Sequence, residues 1–440
     1  CPHNSSTKVP EGSMALAGIG CHTLAIGMER NTKTFTHMGA EGVPWVGASH
    51  FTDMPHVFQN MGDGTYYHSG LLAIRAAAAA GINITYKILF NDAVAMTGGQ
   101  PHDGPLSVTD ITRQVSAEGA KRVFVVTDEP EKYEGGPAFA AGTEIRHRSE
   151  LDSVQRELRD IPGLTVLVYD QACAAEKRRK RKRGLYPDPP QRVFINARVC
   201  EGCGDCSEKS NCVAVKPLET EFGRKRQIDQ SDCNKDFSCL TGFCPSFVTV
   251  KGGTMRKAAK TLAKTEGLFE TLPEPSLPVL KGAYGILVTG IGGTGVITVG
   301  ALMGMAAHIE GRGCTVLDFT GLAQKNGSVM SHIRLSPTPE DLYSVRITEG
   351  EADVLIGCDM LVAASPNALS RMNRRSTRAV VNDHLQPTAD FVRNTNLDFG
   401  GADVRRSLKN AIGESLEFVN ATGLATALMG DSIATNLFML

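Results

Sequence analysis

Seven of the twelve cysteines in this chain of 440 residues fall in one short stretch: Cys200, Cys203, Cys206, Cys212, Cys233, Cys239 and Cys244. The first three read Cys200-Glu-Gly-Cys203-Gly-Asp-Cys206, and the last is followed at once by Pro245. Three thiolates at C-x2-C-x2-C spacing turn inward around one cubane, with glycines permitting the tight backbone, and a Cys-Pro elsewhere completes the set. A structural zinc site usually takes its cysteines as two separate C-x2-C pairs, which makes zinc the weaker reading. A disulfide framework is weaker still, because the chain is long and its other five cysteines are scattered. The stretch therefore predicts a small region built around an iron–sulfur centre, in a chain that moves electrons.

A chain of this length exceeds what one hydrophobic core supports, so two or three domains are expected. With 42% apolar residues, 21% charged residues and a formal net charge of -1, it reads as a soluble protein and neither a nucleic-acid nor a membrane binder. No long apolar run and no signal peptide is visible, which places it in the reducing cytoplasm. It opens on Cys1-Pro2-His3-Asn4 and stops inside the apolar run 433–440, so it reads as a piece of a longer polypeptide.

Composition sets the expected boundaries. Residues 1–175 alternate strand-like and helical runs. Residues 176–194 hold seven consecutive basic residues, Lys177 to Arg183, and the proline-rich Tyr186-Pro-Asp-Pro-Pro190; they read as a solvated linker, with an acidic partner's docking patch as the alternative. The cysteine region fills 195–250, a second linker with Pro273, Pro275 and Pro278 fills 251–281, and a new α/β pattern runs over 282–440.

In the first domain a strand over 57–61 ends at Gly62-Asp63-Gly64. A helix over 69–80, rich in alanine, is stopped by Gly81, and a strand over 82–90 places Ile82, Ile84, Tyr86, Ile88 and Phe90 on one face. Asn91-Asp92 follows. This unit puts Asp63 and Asn91 at the same carboxyl edge of a parallel sheet, where open α/β sheets bind ligands. Glycines beside Asp63 let phosphates approach the backbone, and its carboxylate suits Mg²⁺, which takes a few oxygen ligands together with substrate phosphates. The bland alternative is a turn Asp63 and a strand-capping Asn91.

Twenty-six residues separate Gly64 from Asn91. That spacing, with Cys1-Pro-His-Asn4, Gly18-Ile-Gly-Cys21-His22, Gly62-Asp-Gly64, Asn91 and Thr97-Gly-Gly-Gln100, resembles the diphosphate-binding domain of thiamine-diphosphate-dependent 2-oxoacid:ferredoxin oxidoreductases. The order of parts is similar to the long fused indolepyruvate ferredoxin oxidoreductase type: a thiamine-diphosphate-binding α/β domain, a ferredoxin-like iron–sulfur insert and a Rossmann-like α/β domain. The resemblance implies that Asp63 and Asn91 hold Mg²⁺ by side chains and Ala93 by its carbonyl. It also sets His3, Cys21, His22, Gly62 and Gly64 beside thiamine diphosphate.

Two departures stand out. The activating glutamate of the family belongs to a second thiamine domain that is not visible here, so this piece alone is not expected to turn over. The cysteine spacing is also irregular. Cys200, Cys203, Cys206 and Cys244 make one [4Fe–4S] set, and Cys212, Cys233 and Cys239 are one ligand short of a second. A three-iron cluster, a cluster with a non-cysteine ligand and plain thiols stay open for those three.

In the last domain Gly290-Ile-Gly292-Gly293-Thr-Gly295 follows a strand over 285–289 and precedes a helix over 296–308. A second strand over 315–317 ends at Asp318, which satisfies the dinucleotide fingerprint in form. By resemblance this domain keeps the turn without a nicotinamide role, and Gly321-Leu-Ala-Gln-Lys-Asn-Gly327 with Ser331-His-Ile-Arg334 resembles it too. The family reading implies oxidative decarboxylation of a 2-oxoacid, with an aryl pyruvate such as indolepyruvate favoured. Coenzyme A would accept the acyl group, a cluster would pass electrons to ferredoxin, and the full-length chain would be a homodimer. The rival readings are a nicotinamide-linked iron–sulfur oxidoreductase and a non-catalytic electron-transfer fragment.

Overall fold

The apolar runs of the first 170 residues pair as parallel strands. The computed structural model describes residues 2–95, 99–102, 104, 106–253, 273–274, 279–320, 327–386, 391, 394 and 396–440. Cys1, Thr97, Gly98, Pro275, Pro278 and residues 321–326, named above, lie outside the described residues. Two compact units are present.

The unit of Cys1–Pro189, with Ser210–Cys212 and Asn234–Ser238, holds seven strands. They are β1 (Ala15–Leu16), β2 (Thr32–Lys33), β3 (Val57–Gly62), β4 (Ile84–Phe90), β5 (Val123–Thr127), β6 (Glu144–His147) and β7 (Leu164–Asp170). All run parallel in the order β2-β1-β3-β4-β7-β5-β6. Beyond β3 the chain enters a helix at Asp63–Thr65, passes through a π-helical turn at Tyr66–Gly70 and continues as an α-helix over Leu71–Ala80. Gly81 stops it at φ 64, the left-handed cap that glycine adopts without strain. Gly70 lets this helix cross β3 closely, since a Cβ there would lie 2.5 Å from the Met61 sulfur.

Strand β4 keeps its expected face: Ile84, Tyr86 and Ile88 join the main core with Ile82 before them and Phe90 packed against it. The opposite face is buried too, with Leu89 in a second core and Thr85 and Lys87 fully buried. Helices cover both faces of a parallel sheet, so a central strand has no solvent side. The basic run departs from its expectation: Ala174–Lys182 is a helix, not open linker. Lys177 ties it to Asp128 at 3.2 Å, and Arg179 pairs within the helix with Glu176 at 2.7 Å.

The second unit comprises Pro190–Lys209, Val213–Cys233 and Cys239–Leu440. Its cysteine region contains β8 (Gln191–Ile195) paired antiparallel with β11 (Phe247–Lys251), and the hairpin β9 (Val215–Thr220) with β10 (Gly223–Ile228). Beyond these, β12 (Tyr284–Ile291), β13 (Gly313–Phe319), β14 (Ser328–Ser336), β15 (Val354–Gly357), β16 (Arg378–Asn382) and β17 (Leu416–Val419) form a sheet ordered β13-β14-β12-β15-β16-β17. The helix after the glycine turn spans Val296–Ile309.

This sheet differs from a dinucleotide-binding one where the fingerprint needs it. β14 lies antiparallel between β12 and β13, so Asp318 is not on the strand beside the glycine turn. A Cβ on Gly290 would lie 2.7 Å from Val296 and 3.1 Å from Cys358, so close packing accounts for that glycine. The Asn436 amide donates to the Thr294 hydroxyl inside the same turn at 2.9 Å. Among the described residues no helix is long and apolar enough to cross a membrane.

Candidate cofactor site

From β1 the chain moves out to β2 and returns on the other side to β3. Such a reversal opens a crevice at the carboxyl ends of the strands, where doubly wound sheets take their ligands. The Gly18-Ile-Gly20 loop leaves β1 there and Asp63 leaves β3. Gly18 is required by contact, because a Cβ would lie 2.3 Å from the Asn60 carbonyl oxygen.

Asp63 is 3% exposed and works in two directions. Its Oδ2 accepts the backbone N–H groups of Asn91 at 2.7 Å and Asp92 at 2.9 Å, tying the end of β4 to the end of β3. Its Oδ1 accepts the Gly64 N–H at 2.9 Å and stands 3.5 Å from Nε2 of His102. Asp92 turns the chain at φ 55, and Ala93 behind it is buried. The side-chain Oδ1 of Asn91 is buried with no hydrogen-bond partner among the described residues, and so are both polar atoms of the Asn60 amide. Unpartnered buried polar atoms are costly, so several at one strand edge mark a place shaped for something else to bind.

His22 lies against the glycines. Its ring would be 2.9 Å from a Cβ on Gly18, 2.7 Å from one on Gly20 and 3.3 Å from one on Gly62. Burial drives its pKa down to about 4, opposed by the charge of Asp63, so the ring is neutral at physiological pH. Its Nε2 also has no partner among the described residues. The His3 ring meets it edge-on at 5.7 Å between centroids, and Cys21 opens the 3-10 helix Cys21–Gly27 directly before it. The structure thus brings His3, Cys21, His22, Gly62, Asp63, Gly64, Asn91 and Ala93 to one edge.

Three residues at this edge escape the sequence reading: Asn60, His102 and Glu41. Glu41 is buried, with Oε2 accepting the Gly39 N–H at 2.7 Å and Oε1 the Ile19 N–H at 3.4 Å; burial pushes its pKa up against those bonds. It braces the glycine loop from behind. The available signal is slight: Asn60 stands three residues before Asp63, and His102 two after Gln100.

Among the described residues no group of three or more His, Cys, Asp or Glu side chains could hold a metal ion. A Mg²⁺–diphosphate needs none, because it uses one or two carboxylates with phosphates and water. The buried Asp63 carboxylate, the Asn91 amide oxygen and the glycine loop fit such a group.

In the second unit, Cys200 and Cys206 are buried and Cys203 is exposed on one loop, where Gly202 at φ 76 and Gly204 at φ 87 make the turns. The Cys200 sulfur accepts the Gly202 N–H at 3.4 Å. Cys244 contacts the Ser246 hydroxyl at 2.9 Å. Asn196 links the two: its N–H donates to the Ser246 carbonyl at 2.8 Å, and its own carbonyl accepts the Cys200 N–H at 2.9 Å. Cys200 and Cys244 therefore leave the same end of the β8–β11 ribbon. Cys212, Cys233 and Cys239 are partly buried, and no disulfide joins the described cysteines. The expected ligands Cys200, Cys203, Cys206 and Cys244 are thus close in the chain fold, but their sulfurs do not gather into a group that could hold a metal ion among the described residues.

In the first unit, residues 18–141 match the family model "Thiamine pyrophosphate enzyme, C-terminal TPP binding domain". Residues 285–440 match "Pyruvate ferredoxin/flavodoxin oxidoreductase". The chain is similar to the indolepyruvate oxidoreductase subunit IorA of Archaeoglobus fulgidus, 29% identical over 56% of this chain and 38% of the relative. It is also similar to subunit IorB of Thermococcus kodakarensis, 36% identical over 18% of this chain and 38% of the relative. It spans less than two fifths of the length of either. The similarity is thus to thiamine-diphosphate-binding enzymes over 18–141 and to pyruvate ferredoxin/flavodoxin oxidoreductases over 285–440.

Proposed function

We propose that the chain takes part in the oxidative decarboxylation of a 2-oxoacid, indolepyruvate or another aryl pyruvate, with the acyl group passing to coenzyme A and the electrons to ferredoxin. The observation that carries this is the strand edge at Asp63: a buried carboxylate, a buried unpartnered Asn91 amide oxygen and a glycine loop that a Cβ would block. Names of the IorA and IorB relatives support the substrate class. Thiamine diphosphate, when bound, supplies the electron sink for decarboxylation, and an iron–sulfur cluster takes electrons singly.

This chain's own residues bind and orient. Asp63 and Asn91, with the Ala93 carbonyl, hold Mg²⁺, and the Gly62 and Gly64 backbone admits the diphosphate. His22, kept neutral by burial, offers Nε2 as a hydrogen-bond partner beside His3 and Cys21. Cys200, Cys203, Cys206 and Cys244 hold a [4Fe–4S] cluster, and Cys212, Cys233 and Cys239 serve a second or remain thiols. A cytoplasmic homodimer of the full-length protein completes the proposal, since the cytoplasm keeps such thiols reduced. Calorimetry tests the site. Thiamine diphosphate is expected to bind the full-length protein only with Mg²⁺ present, and equal affinity after chelation contradicts the placement.

A further inference from the structure

The helix Val296–Ile309 carries no Asp, Glu, Lys or Arg. Its inner side packs on the sheet, with Val296 and Val299 in one core with Val329 and Ile333. Gly300 and Gly304 let it lie close against β13, where a Cβ on either would stand 3.3 and 3.0 Å from the Val316 methyl groups. The outer side is apolar as well. Ile297, Leu302, Met305 and Ile309 are 43%, 47%, 58% and 78% exposed, and the last three follow the i, i+3, i+7 spacing that aligns side chains on one face. A helix that is apolar all round normally lies buried.

An open strand edge lies beside it. β13 ends the sheet and pairs with β14, and among the described residues no other backbone–backbone hydrogen bond is made by residues 313–319. Its sequence Gly313-Cys-Thr-Val-Leu-Asp-Phe319 holds neither proline nor lysine, the residues that commonly protect an edge. Val316 at its centre is 38% exposed. The five apolar side chains on helix and edge amount to roughly 300–500 Å², at about 60–100 Å² each, as much as the largest patch on a typical monomer. Added to the strand edge, that comes within reach of the ~800 Å² per partner of a stable complex.

We infer that β13 and the outer face of the helix Val296–Ile309 form the interface of a two-fold homodimer, which joins two six-stranded sheets into one. The inference gives the homodimer proposed above its interface and needs neither cofactor nor catalysis. A charge-free helix face has nothing with which to select a different partner, and a bare edge takes another strand. A second copy supplies both at once. About an axis perpendicular to the sheet, β13 pairs antiparallel with its counterpart, and the two helices meet on one side of the joined sheet. With the axis at Val316, Asp318 falls opposite Cys314 of the second copy, so the two aspartates do not face each other.

The test uses the full-length protein as wild type, Met305→Lys, Ile309→Lys, Val316→Lys and Phe51→Lys. Phe51 is 90% exposed in the other unit and serves as the control. Sedimentation equilibrium reads the dimer dissociation constant, and circular dichroism checks that each variant is folded. The wild type is expected to be a dimer at micromolar concentration. Met305→Lys, Ile309→Lys and Val316→Lys each set a charge against an apolar face and are expected to weaken the dimer by about tenfold or more, with Phe51→Lys unchanged. Amides of residues 313–319 are expected to exchange hydrogen faster in Met305→Lys than in wild type, and equal exchange overturns the strand pairing. A monomeric wild type overturns both the homodimer and its interface. A dimer that both helix variants leave intact, or that Phe51→Lys weakens as much, overturns the interface while the homodimer stands. Should Val316→Lys fail to fold, the two helix variants decide.

Discussion

Asp63→Ala removes three acceptor contacts at once: the N–H groups of Gly64, Asn91 and Asp92 at 2.9, 2.7 and 2.9 Å. Hydrogen bonds to a charged group contribute about 1.5–3 kcal/mol each, and a buried donor left unmatched costs about as much. The three share two oxygens and are not additive, and water can reach the less buried Gly64 amide, so the expected loss is roughly 3–5 kcal/mol. For a unit of this size that corresponds to a fall in melting temperature of roughly 6–20 °C. Asp63→Asn keeps one carbonyl oxygen for the β4 amides and is expected to lose about half as much, while also removing the carboxylate proposed to hold Mg²⁺. Thermal unfolding followed by circular dichroism, without cofactor, reads the effect. An alanine variant melting within about 2 °C of wild type refutes the reasoning, because it means that Asp63 does not tie β4 to β3.

Three other expectations come from different parts of the chain. Burial pushes the Lys87 ammonium down from 10.5 to about 7, with Arg30 adding to the effect, and its Nζ donates to the Lys8 carbonyl at 2.8 Å. The folded pKa lies below the unfolded one, so Lys87 opposes folding fully below about pH 7, and the opposition fades as pH rises toward 10.5. Lys87→Met should therefore stabilise the protein at pH 7 by about 1–3 kcal/mol and by much less at pH 10, measured by denaturant titration. Gly18→Ala forces a Cβ against the Asn60 carbonyl oxygen, and calorimetry should show at least a tenfold weaker affinity for Mg²⁺–thiamine diphosphate, about 1.4 kcal/mol; unchanged affinity would place the diphosphate elsewhere. Cys244→Ala should lower iron content and visible absorbance more than Cys212→Ala, and the reverse ranking would remove Cys244 from the cluster.

The strand–helix–strand unit around Asp63 was legible because its signals are local: an apolar run, a glycine stop at Gly81 and polar residues at each strand end. The helix over 296–309 was legible for the same reason. Other features depended on distant partners. The basic residues 177–183 read as linker because charge runs favour solvent, yet most of them lie on a helix whose Lys177 pairs with Asp128, far away in sequence. The glycine turn at Gly290 matched a dinucleotide pattern, but no local signal shows that β14 enters between β12 and β13. Glu41, Asn60 and His102 reach the strand edge at Asp63 with only slight signals in their own sequence surroundings to mark them.

The measurement that bears most directly on the central claim is reduction of the cluster by substrate in the full-length, iron-loaded protein. Indolepyruvate, added anaerobically with coenzyme A, Mg²⁺ and thiamine diphosphate, is expected to produce the paramagnetic resonance signal of a reduced [4Fe–4S] cluster, and leaving out thiamine diphosphate is expected to abolish it. A signal of equal size without thiamine diphosphate, or one produced by reduced nicotinamide instead of the 2-oxoacid, would contradict the account.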